Sequence, residues 1–415
     1  MKRWSKAAAI ALGWSLVGIV GGVDAQTLPG GQPSVLPEPI PSAPTMGAPG
    51  GLPGGPPGMG GGLVPGPISP YAAPSGPPDF LSLPATSAGA FIEEGYGPEH
   101  HVFFHVGAYA LQPQKVPSRY LAYGGTAGTT DTGAAPALGS PPIFNYDNIS
   151  PGMNWGVTAT LGYLVDNEAF EITGFYLPQL TSTAAMTQPG SLNVPFTSPP
   201  LGFEGDNILG AQADKIMASQ SVTIGSLEAN YRSTGLATRE FELILGVRYF
   251  NYSEGSTLFV DDDGATYVSS ATGLPNPALQ ANYNTQAFNN MVGPQIGFEY
   301  GTAIWHGISF TSEWKTAFMA NFIERNMAFN RGDGYNAFSI GNSTTTYSQL
   351  FSMNFNLEWN VLEKMKIRGG YNLLWLVNVA RSADLLDFNL ANPVVNQQTR
   401  SPFMQGPTIE FHFLF

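Results

Sequence analysis

Glu171, Glu228, Arg232, Glu242, Arg248, Glu299, Glu313, Lys315, Glu358, Lys366, Arg368, Glu410 and His412 each lie one position out of step with a stripe of apolar residues that recurs at every second position. Brought together, carboxylates and cations of this kind could bind an ion, line a wet pore or lock one another as salt bridges. Hydrolytic chemistry would instead need a general base, most often histidine. The candidates are His100, His101, His105, His306 and His412, and all five fall toward the same end of the runs described below, leaving none for the opposite rim. Asp384 and Asp387 keep carboxylate-only chemistry open as the enzymatic alternative, but the reading is of a protein that is not an enzyme. Asp261-Asp-Asp-Gly264 starts like a Ca²⁺ loop yet lacks the rest of the twelve-residue ligand set, so a solvated acidic turn is expected, with no metal site and no cofactor. Arg331-Gly-Asp333 is an adhesion-like triplet too short to build on.

The elements that position these residues are strands. Ile409, Phe411, Phe413 and Phe415 alternate with Thr408, Glu410, His412 and Leu414, which puts an apolar row on one strand face and ends the chain on an aromatic. Such a terminus is the usual closing strand of a bacterial outer-membrane barrel, and Phe411, Phe413 and Phe415 are the expected signal for the barrel-assembly machinery. Amphipathic runs of this kind recur ten times: 101–111, 153–164, 169–179, 221–232, 238–252, 290–301, 306–320, 350–361, 364–380 and 403–415. The connections between them alternate, short at 165–168, 233–237, 302–305 and 362–363, about twenty residues or more elsewhere. Barrels have short periplasmic turns and long external loops, so both termini are expected in the periplasm with five loops outside. A β-sandwich has no reason to sort its loops by parity. Twelve strands remain the alternative if Thr257 to Ser270 belongs to a hairpin that joins the wall.

Lys2, Arg3 and Lys6 precede an uncharged stretch from Ala7 to Val20, and Val23-Asp24-Ala25 precedes Gln26, as in a signal peptide spanning 1–25. Residues 26–97 are rich in Pro and Gly, as in Gly47-Ala-Pro-Gly-Gly-Leu-Pro-Gly-Gly-Pro-Pro-Gly-Met-Gly60, and read as a disordered periplasmic linker: a spacer or an arm that docks a partner. The barrel is expected over 98–415, in the outer membrane of a Gram-negative-type bacterium. Charged residues make up only 11% of the chain against roughly 25% in soluble domains, while aromatics reach 12%. The net charge of −13 excludes nucleic acid as a partner, and the absence of Cys excludes disulfides and a lipidated cysteine.

Several blocks resemble a known family. Ser226-Leu-Glu-Ala-Asn-Tyr-Arg232, Phe241-Glu-Leu-Ile-Leu-Gly-Val-Arg-Tyr249, Asn289-Asn-Met-Val-Gly-Pro-Gln-Ile-Gly297, Arg368-Gly-Gly-Tyr-Asn-Leu-Leu374 with Val379-Ala-Arg-Ser382, and Gln405-Gly-Pro-Thr-Ile-Glu-Phe411 are similar, in this order, to the β-barrel porin family numbered seven in its series, abundant in planctomycete-type bacteria. The resemblance covers roughly Phe103 to Phe415, implies an outer-membrane barrel of unknown substrate, and supplies no catalytic residues.

Parity then assigns the faces. Trp155, Val157, Leu161 and Tyr163, with Phe351, Met353, Phe355, Leu357 and Trp359, face the lipid bilayer, so the charges named first face the lumen. They share one layer near the periplasmic turns, while Tyr109, Leu111, Ile244, Phe250, Tyr252, Leu374 and Leu376 make the lumen above them apolar. Buried ions must be paired, which leaves a salt-bridge plug or a wetted pore lining. Eight-stranded barrels are filled by side chains and sixteen-stranded ones are channels, so ten strands point to a narrow or plugged lumen. Two functions are consistent with this: a porin-like barrel that passes or binds small solutes, or a structural or surface-display barrel with a closed lumen whose loops or tether bind partners.

Overall fold

A computed structural model of the protein describes residues 101–115, 119–124, 141–165, 168–197, 210, 213–234, 241–261, 280–305, 307–332 and 338–415. The signal-peptide and linker assignments, His100, His306, most of Asp261 to Gly264 and the Asp of the Arg331 triplet lie outside the described residues.

The strands are β1 (His101–Pro113), β2 (Tyr120–Gly124), β3 (Pro142–Asn145), β4 (Asn154–Val165), β5 (Glu168–Asn193), β6 (Ala213–Thr234), β7 (Phe241–Asp261), β8 (Gln280–Trp305), β9 (Ile308–Arg331), β10 (Phe338–Leu362), β11 (Met365–Val377) and β12 (Phe403–Leu414). Ten of them close an antiparallel barrel in the order β1, β4, β5, β6, β7, β8, β9, β10, β11, β12, with the last pairing back on the first. Closure leaves the wall without an edge, the condition for crossing a bilayer with strands. The short strands β2 and β3 pair with each other beside the tip of β5. The twelve-strand alternative is not realised: Thr257 to Asp261 continue β7, in register with β6 and β8.

The wall is uneven in height. β1, β4, β11 and β12 have 12–13 residues, about what a bilayer requires, whereas β5 to β10 have 21–26. One expected long loop is thereby corrected: β9 and β10 pair continuously from Trp359↔Ile308 to Phe338↔Phe329, so only 332–337 remain to connect them. The outward residues explain both the extra length and its invisibility in the alternation pattern. On β7 the outer row runs Phe241, Leu243, Leu245, Val247, Tyr249 and then changes to Asn251, Ser253 and Thr257. Across the pair, Tyr249 Oη donates to Asn290 Oδ1 at 2.8 Å, Asn251 Nδ2 to the same oxygen at 2.9 Å, and Thr257 Oγ1 to Asn284 Oδ1 at 2.8 Å. An outer surface of hydroxyls and amides belongs in water, so the apolar belt occupies the end with the short turns and the tall wall stands beyond the membrane.

Candidate functional site

The lumen is built as a stack of layers. Nearest the short turns, Phe103, Leu164 and Ala169 are buried together, and Phe103 occupies the space that a side chain at Gly162 would need. Above them the imidazoles of His105 and His412 stack with ring centroids 3.6 Å apart and an interplanar angle of 11°. His412 Nε2 lies 3.0 Å from Glu410 Oε2.

The next layer holds the charged residues that the alternation placed inside. Register brings carboxylates face to face, since Glu242 is directly across from Glu299 and Glu299 from Glu313. Arg232 reaches all three and a fourth: its Nε is 2.8 Å from Glu171, Nη1 is 3.1 Å from Glu242 and 2.8 Å from Glu299, and Nη2 is 2.5 Å from Glu313. Only a planar guanidinium with several donors can serve four acceptors at once. Lys315 Nζ bridges Glu313 and Glu228, at 2.9 Å to each, and Arg248 Nη2 is 3.2 Å from Glu228. On the far wall Arg368 pairs with Glu358 and lies 3.5 Å from Glu299, while Lys366 is 3.5 Å from Glu358. Amides complete the shell: Asn230 Nδ2 donates to Glu171 at 3.0 Å and Asn354 Nδ2 to Glu313 at 2.9 Å. Seven carboxylates face five Arg and Lys side chains in this layer.

Above the charges Tyr109, Leu111, Phe250, Tyr252, Leu374 and Leu376 are buried in one apolar cluster, closed by Val379 from the β11–β12 connection. That connection, 378–402, turns into the barrel. Arg381 holds Glu254 through Nη2 at 2.7 Å and Nε at 3.2 Å, and Ser382 N donates to the same carboxylate at 2.9 Å. Asn289 clamps the neighbouring peptide from both sides, donating to Ala380 O at 2.9 Å and accepting from Ala380 N at 2.8 Å. Further out, Leu386 and Leu390 of this segment pack with Tyr283 and Phe329 from the tall wall and with Phe196 just past the end of β5.

Glu254 and Arg381 were not among the sequence candidates. Glu254 shares the inward parity of Phe250 and Tyr252, so continuing β7 past Tyr252 would have found it; Arg381 follows the end of β11 and carries no periodic signal. Of the residues considered for catalysis, Asp384 pairs with Arg400 at 3.0 Å and Asp387 accepts the backbone N–H groups of Asn389 and Val394. Arg331 and Asp261 are buried rather than displayed. Phe411 and Phe415 are exposed on the lipid-facing side, and Phe413 shares their face, half-buried. Among the described residues no group of three or more His, Cys, Asp or Glu is placed to hold a metal ion.

What can such an arrangement do? Paired charges, an apolar layer and an inserted segment occupy the described lumen at successive levels, and the ion pairs tie the strands to one another from inside.

No curated protein matches the sequence. Among solved structures the chain is similar to the outer membrane protease OmpT from Escherichia coli, with 8% identity, 78% of this chain and 100% of that chain covered, and a TM-score of 0.39. It is also similar to the toluene transporter TodX of Pseudomonas putida (9% identity, 80% and 92% covered, TM-score 0.23) and to a Pseudomonas aeruginosa FadL homologue (10%, 80% and 92%, TM-score 0.25). The family model described as "Putative beta barrel porin-7 (BBP7)" matches residues 126–412, most of a chain of 415, and this outer-membrane-type barrel therefore belongs to that family.

Proposed function

We propose that this protein is a porin-like outer-membrane barrel whose lumen is occluded in the conformation described, and that it binds or passes small solutes only when the occlusion is relieved. The observation that carries the reading is the hub at Arg232: four buried carboxylates on one guanidinium join strands β5, β6, β7, β8 and β9 across the lumen. The closed-lumen alternative, a structural or surface-display barrel, draws its support from the wall beyond the membrane, which has a core of its own around Phe196, Tyr283 and Phe329. Lipid is the partner of the apolar belt. Export through a signal peptide cleaved after Ala25, and reading of Phe411, Phe413 and Phe415 by the assembly machinery, complete the proposal. It includes no catalytic step.

Planar-bilayer recording tests the reading. The refolded native barrel should be silent or give only small steps that prefer cations, because carboxylates outnumber Arg and Lys in the lumen layer. Large anion-selective conductance would overturn it.

Orientation follows from the same proposal. Both termini and the short turns face the periplasm, and the tall wall faces outward. An epitope inserted in the 332–337 connection should be labelled on intact cells, while one at Glu363 should be labelled only after lysis; the opposite pattern reverses the topology.

A further inference from the structure

The lumen is not filled evenly. Most of the long charged side chains come from β5 to β11, whereas β4 and β12 present small residues to the same level, among them Thr158, Thr160 and Thr408, with Glu410 the one charged side chain that β12 adds to the lining. Between the two sides lies a chamber of about 70 Å³ of water-accessible space. One water needs roughly 10–15 Å³ by this measure, so the chamber has room for about five waters or one solute of about five or six non-hydrogen atoms. Its roof is aromatic: Tyr109 stacks on Phe175 with centroids 4.4 Å apart, and Phe175 meets the edge of Phe250 at 6.1 Å. His105 forms its floor, stacked on His412.

Two polar side chains of the lining are buried without a hydrogen-bond partner. They are Asn372, 2% exposed, through Nδ2, and His105, 5% exposed, through Nε2. A buried polar group left unsatisfied costs about 1–3 kcal/mol, and native proteins rarely carry two at one cavity unless something meets them there.

The chemistry of the lining narrows what that is. It contains four carboxylates, Glu171, Glu228, Glu313 and Glu410, and four cations, Arg232, Arg248, Lys315 and Arg368. Each carboxylate already has a charged or imidazole partner within 3.2 Å. Because the lining charges are already paired with one another, an ion lodged here would have to break an existing pair to gain a partner in a poorly solvated space. Hydroxyl groups, by contrast, donate to a carboxylate and accept from a guanidinium or an amide with equal ease. We propose that the chamber is a binding site for one small neutral polyol, held between the Tyr109–Phe175 roof and the His105–His412 floor, with Asn372 Nδ2 donating to one of its hydroxyl oxygens. This deepens the occluded-barrel reading and rests on it, since an open lumen would leave no bounded chamber.

The test follows the Asn372 side-chain amide by NMR in barrel refolded in detergent with ¹⁵N-asparagine, its signal assigned by its loss in Asn372→Leu. Glycerol, present from refolding onward, should shift that signal saturably, with half-saturation on the order of millimolar as expected for so small a ligand. Sodium acetate and methylammonium chloride at matched concentrations should not. Thr160→Leu and Thr408→Leu, which fill the chamber from two strands, should each weaken the glycerol response at least tenfold while the heat-modifiable mobility of a folded barrel persists in at least one of them. A linear, unsaturable glycerol response, an equal response to either ion, or an unchanged response in a folded filled variant overturns the proposal. Conductance of the same preparation separates the two readings: no saturable shift in a silent barrel rejects the chamber site alone, whereas large conductance in the native barrel rejects occlusion and the chamber with it.

Discussion

Replacing Arg232 with alanine should nearly abolish recovery of the folded barrel. The substitution takes a shared cation from four carboxylates in a buried layer, two of which keep another: Lys315 stays 2.9 Å from Glu313, and Arg368 stays 3.5 Å from Glu299. Glu171 keeps an amide partner in Asn230, and Glu242 loses its ion pair with Arg232. Removing one member of a buried pair costs about 3–5 kcal/mol, and here several acceptors lose the same donor, so the loss should reach at least that range. Arg232→Lys should rescue only in part, because one ammonium cannot span acceptors that approach the guanidinium from three nitrogens. Arg368→Ala should be milder, since Glu358 retains Lys366 and Glu299 retains Arg232. Urea unfolding followed by heat-modifiable mobility reads all three. Adding Glu242→Gln to Arg232→Ala should recover part of the loss by removing one uncompensated charge. An Arg232→Ala barrel with the native urea midpoint would show that the hub does not hold the lumen together.

Arg381→Ala should release the 378–402 segment from the barrel without opening a pore. The segment's one buried ion pair among the described residues is Arg381 with Glu254, and losing it costs local order by about 3–5 kcal/mol, which corresponds to a rise of roughly two to four orders of magnitude in the open population. Protease added to intact cells should therefore cut within 378–402 far faster than in the native protein. Glu254→Ala should do the same, and the double variant should be little worse than the worse single, the signature of two residues acting as one latch. Bilayer recordings should stay as quiet as the native ones, because Phe250, Leu374 and the charge layer belong to the wall and remain in place. Unchanged cleavage would remove the latch. Immediate conductance in Arg381→Ala would mean that the inserted segment alone closes the lumen.

Much of this protein could be read from the chain by itself, and the reason is the membrane. Where lipid lies on one side and the lumen on the other, every second residue must be apolar, so the ten wall strands announced themselves by periodicity and their inward residues by parity. Glu228, Arg232, Glu242 and Arg368 were placed inside on that ground alone. The pattern fades where the wall leaves the bilayer: once the outer row becomes Asn251, Ser253 and Thr257, water tolerates either face, and strands 21–26 residues long look like short strands followed by loops.

What only the tertiary structure decided is who pairs with whom. Parity says that Glu171, Glu242, Glu299 and Glu313 face inward, but their convergence on Arg232 depends on the stagger of five strands around a closed barrel, a global property that no local window contains. The same holds for Glu254 and Arg381, which are 127 residues apart and meet because an aperiodic connection folds back through the lumen. It holds as well for the chamber beneath Tyr109, which exists because the small residues of β4 and β12 face long side chains across the barrel. Alternation is a one-dimensional record of which face meets lipid; the contents of the lumen are three-dimensional, and closure sets them.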